Sequence, residues 1–256
     1  MLISFVVPAY NEEVLLADTL AAIRAEIARC GLVAGCDAEI IVVDNASTDG
    51  TGAIARAWPD VSLVEEPRKG LVAARWAGFV ASSGALIANV DADTVIPPGW
   101  LDRVRAHFAA DPNLVALSGP YVYADLALGK RVLVRVFYRL AYLVYLLNHR
   151  VLRVGAMLQG GNFVVRRTAM ERLGAANDRF SFYGEDTDLA RRLGRIGRVI
   201  FTFELFAQSS GRRLTGEGLL TIGLRYAMNF FWATFLKKPF TTEWRDIRDP
   251  PIGQEQ

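Results

Sequence analysis

Histidine and cysteine are scarce in this chain, with two of each in 256 residues. His107 and His149 lack the spacing of a metal-ligand pair, and no Ser/His/Asp relay or zinc cluster presents itself, so both are expected in packing or surface roles. Cys30 and Cys36 can pair in principle, but two cysteines make no disulfide framework, and a reducing cytosol is the expected compartment. Net charge is small too, with 29 basic against 27 acidic residues giving +2, so no global field draws nucleic acid and none is expected as a partner. The opening Met1-Leu2-Ile3-Ser4-Phe5-Val6-Val7-Pro8 has neither a basic n-region nor a small-residue cleavage site, and reads as a first strand without a signal peptide. No internal repeat or long low-complexity linker interrupts the chain.

Apolar residues, in contrast, are plentiful at 52%. At 256 residues the chain is long enough for one large α/β domain or two small ones, one being favoured, and the apolar fraction keeps a membrane surface or a large interface in view. Short β-rich apolar runs at 2–7, 39–43, 61–64, 85–90 and 114–118 alternate with helical spacing at 12–29, at 51–58 behind a Ser47-Thr48-Asp49-Gly50 cap, at 70–82, and after Pro97-Pro98-Gly99 to about Ala109. Continuous apolar strands separated by helices imply a mainly parallel sheet with helices on both faces and right-handed crossovers. Ligands of such a sheet bind beyond the carboxyl ends of its strands. That rule selects Pro8-Ala9-Tyr10-Asn11-Glu12, Asp44-Asn45-Ala46-Ser47 and Asp91-Ala92-Asp93. Later come a glycine turn, Gln159-Gly160-Gly161-Asn162, leading into a strand at 163–166, and an acidic run, Gly184-Glu185-Asp186-Thr187-Asp188, opening a helix at 185–195.

Asp91 and Asp93, one residue apart at a strand end, suit a hard divalent cation that also takes substrate phosphate; as a bare pair they equally suit a solvated turn or a helix cap. Asp44 can accept from a nucleobase N–H or a ribose hydroxyl, or, with Asn45, merely fix a turn. Tyr10 offers a ring to stack on a base, and Glu12 an acid at a helix start; Asn11 as an N-cap is the plainer alternative. Glu185 and Asp186 are either acid–base groups or acids complementing a helix dipole. Gly160 and Gly161 give a flexible turn with free amides, or only a tight turn.

In order and spacing these segments, together with Lys69-Gly70-Leu71-Val72-Ala73-Ala74-Arg75 and Glu185-Asp186-Thr187-Asp188-Leu189, resemble glycosyltransferase family 2, the inverting nucleotide-sugar transferases of GT-A fold. The likeness is dense over 2–100 and sparser to about 215. It implies a GT-A-like, Rossmann-type α/β domain over 1–215, with a nucleotide-sugar half at 1–118 and an acceptor half at 119–215. A hydrophobic helix and polar tail follow at 216–256. It also implies that Pro8, Tyr10, Glu12 and Asp44 frame the nucleobase with Arg75 beside it. Asp91 then faces ribose or sugar, Asp93 binds a diphosphate-bound Mg²⁺ or Mn²⁺, and Asp186, next to Glu185, deprotonates the acceptor. Gln159, Gly160, Gly161 and Asn162 fall in the acceptor region, where a saccharide or lipid-linked acceptor is expected. Arg212 and Arg213 resemble the late basic element on donor phosphates, or form a solvated charge pair. Trp76 stands where the family often has Asn, and the Gln-x-x-Arg-Trp of cellulose-synthase-like enzymes is absent, which argues against a processive polymerase. A sugar nucleotidyltransferase would share sheet and metal but needs a glycine-rich N-terminal loop that is missing; a non-catalytic nucleotide-sugar or membrane-binding module is the other rival.

Two hydrophobic stretches, 129–158 and 219–238, carry polar stripes: Arg131, Arg135 and Arg139 in the first, Thr221, Arg225 and Asn229 in the second. After Arg139 the apolar run is shorter than the roughly 20 residues of a membrane span. Peripheral contact with the inner face of a membrane, or packing in a core or oligomer, fits better.

Overall fold

Every residue of β1 (Ile3–Ala9) is buried, because the strand lies mid-sheet with helices on both faces. The computed structural model describes residues 2–35, 37–147, 157–174, 180 and 183–241. Cys36, His149, the end of the first hydrophobic stretch and the tail from 242 therefore lie outside the described residues, and with them the Cys30–Cys36 pairing.

After β1 come α1 (Leu16–Arg29), β2 (Ala38–Asp44), α2 (Thr51–Arg56), β3 (Val61–Glu65), α3 (Leu71–Ala81) and β4 (Leu86–Val90). Then follow β5 (Thr94–Val95), α4 (Trp100–Ala110), β6 (Leu114–Ser118), β7 (Tyr121–Val122), α5 (Leu128–Leu147) and β8 (Asn162–Arg166). The described chain closes with α6 (Arg167–Leu173), α7 (Glu185–Leu193), β9 (Arg198–Phe201), β10 (Ala207–Ser209), α8 (Arg212–Gly216), α9 (Leu219–Phe231) and a π-helical turn, Trp232–Leu236.

The seven-stranded sheet runs β3-β2-β1-β4-β8-β6-β9. Its first four strands are parallel; β8 is antiparallel to both β4 and β6, and β6 pairs parallel with β9. This is the mainly parallel α/β sheet expected from the sequence, with one reversed strand inserted. Because β8 runs backwards, its first residue, Asn162, sits opposite Val90, the last of β4. The glycine turn before β8 is thereby delivered to the sheet edge where Asp91 emerges. A second, three-stranded sheet, β5-β10-β7, lies just past that edge.

Alternation along β1 feeds two cores. Ile3, Phe5 and Val7 meet Leu16, Leu20, Ile23 and Ile27 of α1 and Trp100 of α4, whereas Val6 joins the layer containing Ala74 and Phe79 of α3. Each such buried aliphatic side chain contributes about 1.5–3 kcal/mol.

Two local expectations are corrected. Helix α1 begins at Leu16, not Glu12: Asn11 adopts φ 50, and the Glu12 amide is taken by the Thr51 hydroxyl at 2.7 Å, which holds the segment as a turn. Nor does Ser47 cap α2. Its hydroxyl accepts from the Asn11 amide at 3.1 Å, joining two edge loops, and the helix ends at Arg56.

A Cβ on Gly78 of α3 would stand 2.2 Å from Val6 Cγ1, a stiff β-branched neighbour on a buried strand. Gly78→Ala is expected to lower stability by about 1–3 kcal/mol, overpacking outweighing the roughly 1 kcal/mol that alanine gains as a helix former. A urea titration should give a lower midpoint at unchanged slope. An unchanged midpoint would mean that α3 can lift from β1 without cost.

Candidate active site

Three parallel strands end together in polar loops. At the end of β2, Asp44 Oδ1 accepts from the Ser47 amide at 3.0 Å, and its other oxygen lies 2.8 Å from where a Cβ on Gly52 would be, so the carboxylate rests on the first turn of α2. Asn45 is buried and donates to the carbonyls of Glu66 and Arg68 at 2.9 and 2.8 Å, pinning the strand-to-helix loop below it. Pro8 is the penultimate residue of β1, paired with Val43. Beyond it the Lys69 ammonium stands 3.8 Å over the Tyr10 ring.

The second loop, after β4, reaches forward to residues late in the chain. Pairing of β5 with β10 brings 207–212 against Asp93. Asp93 Oδ1 lies 3.4 Å from the Ser209 hydroxyl, and Arg212 Nη2 donates to Asp93 Oδ2 at 3.1 Å and to Glu12. Arg212 thus bridges a β1 loop and a β4 loop. Burial weakens its charge, but the flanking carboxylates of Asp93 and Glu12 more than offset this and raise its pKa.

Asp91 faces the other way. Arg75 of α3, only 8% exposed, donates to Asp91 Oδ1 at 3.1 Å and to Glu185 at the start of α7. The Tyr121 hydroxyl lies 2.8 Å from the Gly160 carbonyl and 3.0 Å from Asp91 Oδ2, so its single proton can serve either. Burial and the nearby Asp91 push the Tyr121 pKa well above its ordinary value and keep it a donor. Gly161 has φ 74, and a Cβ there would fall 2.0 Å from the Asp91 carboxyl carbon, so glycine is required twice over. The Gly160 amide, in turn, lies 3.3 Å from Asp186 Oδ2, while the Thr187 amide holds Oδ1 at 2.7 Å. One glycine turn therefore separates Asp91 from Asp186.

Charge does not balance here. The carboxylates of Glu12, Asp91, Asp93, Glu185 and Asp186 share the guanidinium groups of Arg75 and Arg212. Burial, opposed by Arg75 and reinforced by Asp186, pushes Glu185 up to about 7. Asp186 is also raised, by burial, against the hydrogen bonds that favour its anion. Among the described residues no three His, Cys, Asp or Glu side chains gather to hold a metal. A cation at this edge would take one or two carboxylates and complete its shell from phosphate oxygens and water, as Mg²⁺ commonly does.

Not every sequence-selected residue joins this cluster. Arg213 turns away to Glu217 at 3.1 Å and Tyr183 at 3.4 Å. Asn162 is fully buried, donating to the Gly119 and Leu205 carbonyls and accepting from the Trp100 indole at 3.1 Å, which makes it a brace for the turn. The Gln159 side chain accepts from the Tyr138 hydroxyl of α5 at 2.7 Å. Arg75 lies between Asp91 and Glu185, buried on the inner face of α3, rather than snorkelling at the surface. Tyr121 escaped the sequence reading; its signal was its position in Gly119-Pro120-Tyr121, directly after the carboxyl end of β6.

Comparison with known proteins gives this geometry a context. The family model for glycosyl transferase family 2 matches residues 4–174. An undecaprenyl-phosphate 4-deoxy-4-formamido-L-arabinose transferase from Pseudomonas aeruginosa is 35% identical over 120 residues, covering 44% of this chain and 34% of that protein. The chain spans about a third of that relative's length. Among solved structures, a Pyrobaculum calidifontis mannosyltransferase in complex with GDP-Man and Mn²⁺ has TM-score 0.67 and 24% identity over 90% of this chain and 62% of its own. Glucosyl-3-phosphoglycerate synthase from Mycobacterium tuberculosis, in complex with Mn²⁺ and UDP-glucose, has TM-score 0.59 and 23% identity over 90% of this chain and 78% of its own. Both share the fold.

Glu185 makes the cluster sensitive to pH. Its folded pKa of about 7 exceeds the ordinary 4.5, so between those values the folded state holds a proton that the unfolded state has lost. Stability should therefore fall as pH rises through this window, by at most about 1.4 kcal/mol per pH unit for this group. Glu185→Gln should flatten the decline in urea-derived stability. Parallel profiles for variant and wild type would remove Glu185 as its source.

Proposed function

The chain belongs to glycosyltransferase family 2, and on that premise we propose that it is an inverting transferase moving a sugar from a nucleoside diphosphate to a hydroxyl or phosphate acceptor. The observation that carries this reading is the buried Arg75, whose fork holds Asp91 of the donor loop, half-buried at the edge, and Glu185 of the acidic helix start in one unit. Donor and acceptor chemistry thereby share one wall.

On the donor side, 1–118 supply Pro8, Tyr10 and Asp44 at the strand ends for the nucleobase and ribose. Glu12 sets the direction of Arg212, which is suited to charge-assisted hydrogen bonds with the diphosphate. The hard oxygens of Asp93 fit Mg²⁺ or Mn²⁺, with Asp91 the second carboxylate of the loop, its oxygens held by Arg75 and Tyr121 in this structure. Such an ion, when bound, would offset charge on the departing diphosphate. UDP-sugars are the favoured donors and GDP-mannose the alternative, in keeping with the ligands of the similar folds.

On the acceptor side, Asp186 takes the proton of the attacking hydroxyl. Its burial raises its proton affinity toward a useful range, and the amides of Gly160 and Thr187 orient its two oxygens. Glu185 keeps Arg75 in position. Inversion requires the acceptor to approach opposite the leaving diphosphate, which suits a base separated from Asp91 by the Gly160-Gly161 turn. A lipid-linked acceptor at the cytoplasmic face of a membrane is in keeping with the undecaprenyl-phosphate transferase relative.

Asp186→Asn is expected to keep donor affinity while lowering transfer by about 10²–10⁴-fold, the usual worth of general-base assistance. Undiminished turnover would remove Asp186 from the chemistry. Asp93→Asn should abolish the metal-dependent part of UDP or GDP affinity in calorimetry; equal affinities for variant and wild type in Mn²⁺ would assign the ion elsewhere.

A further inference from the structure

Helix α5 carries an apolar face that nothing among the described residues covers. Val132, Leu133, Val136, Leu140, Leu143 and Leu147 are each 44% to 61% exposed. At about 3.6 residues per turn they fall within one arc of roughly 100° along a helix about 30 Å long. The opposite face is buried through Val134, Tyr138 and Tyr145. Exposed Arg135 and Arg139 border one side of the apolar arc and exposed Lys130 the other, and α5 contains no acidic residue.

We propose that α5 lies in the plane of an anionic lipid surface, its apolar stripe among the acyl chains and Lys130, Arg135 and Arg139 among the headgroup phosphates. An apolar stripe flanked on both sides by cations is the pattern of an interfacial helix. No helix among the described residues is long and apolar enough to cross a membrane, so the helix lies flat. A second copy of the chain fits the face less well, because a two-fold pairing of α5 with itself would set its cations against their own kind with no carboxylate on either helix to answer them.

The inner face of the same helix explains what docking would achieve. The Tyr138 hydroxyl donates to Gln159 and accepts from the Tyr121 amide at 3.3 Å. The Gln159-Gly160 turn therefore stands about one helix diameter, roughly 10 Å, from the headgroups. Only this consequence rests on the proposed transfer to a lipid-linked acceptor; the docking itself does not.

Flotation of the full chain with vesicles, without any sugar nucleotide, tests the docking separately from the chemistry. The chain should float with phosphatidylcholine vesicles containing phosphatidylglycerol and bind pure phosphatidylcholine far less. Arg135→Gln with Arg139→Gln should lower partition roughly thirtyfold. Leu140→Asp with Leu143→Asp, surface changes whose folding is checked by an unchanged thermal midpoint, should abolish it. Failure of the wild type to float with anionic vesicles would overturn the proposal, as would equal flotation of the Asp variant. So would a lipid-free dimer that the Asp variant dissolves while vesicle binding is absent.

Discussion

A buried guanidinium must be answered by carboxylates, and Arg75 sets the terms for everything around it. Leaving such a charge unpaired costs several kcal/mol, so its partners are held wherever the fork points. It points to Asp91 at the end of β4 and to Glu185 at the start of α7, polar ends of two elements whose apolar residues Ile87, Ala190 and Leu193 share one core layer. Burial at this junction raises the proton affinity of both Glu185 and Asp186, against the pull of Arg75, and for Glu185 the neighbouring Asp186 adds to the rise. On the Asp93 side Arg212 bridges Asp93 and Glu12, and in the proposed reading a divalent cation and its diphosphate would join them there. The Gly160-Gly161 turn exists in this form because any side chain at Gly161 would strike the Asp91 carboxylate.

Much of this was legible in the sequence. The β1-to-β4 alternation is written in continuous apolar runs, which only a sheet covered on both faces produces, and the carboxyl-end rule then singles out the loops at Tyr10, Asp44 and Asp91. The direction of β8 was not legible, since Phe163 to Arg166 reads the same in a parallel or an antiparallel place. Nor were β5, β7 and β10, each two or three residues long and too short to carry a periodic pattern. With them went the meeting of Asp93 with Arg212, which tertiary pairing brings about across 119 positions. Helix starts failed where another loop took the group a cap would use, the Glu12 amide by Thr51 and the Ser47 hydroxyl by the Asn11 amide.

The second half of the chain therefore supplies both a brace and a counter-charge. Asn162 and Tyr138 stiffen the glycine turn from below and from the side, while β10 returns Arg212 to the donor loop. Helix α5 stands at the junction of these roles. Its inner face fixes the turn, and its outer face is apolar and edged with cations.

Arg75→Gln isolates the coupling on which this arrangement depends, because it removes the charge while retaining a hydrogen-bonding side chain of lesser reach. Donor affinity and single-turnover transfer should be measured on the same variant, with the unfolding midpoint recorded beside them. Coupling through Arg75 requires both to fall, affinity through Asp91 and transfer through the Glu185-Asp186 pair. A folded variant that lost only one of the two, or neither, would contradict it.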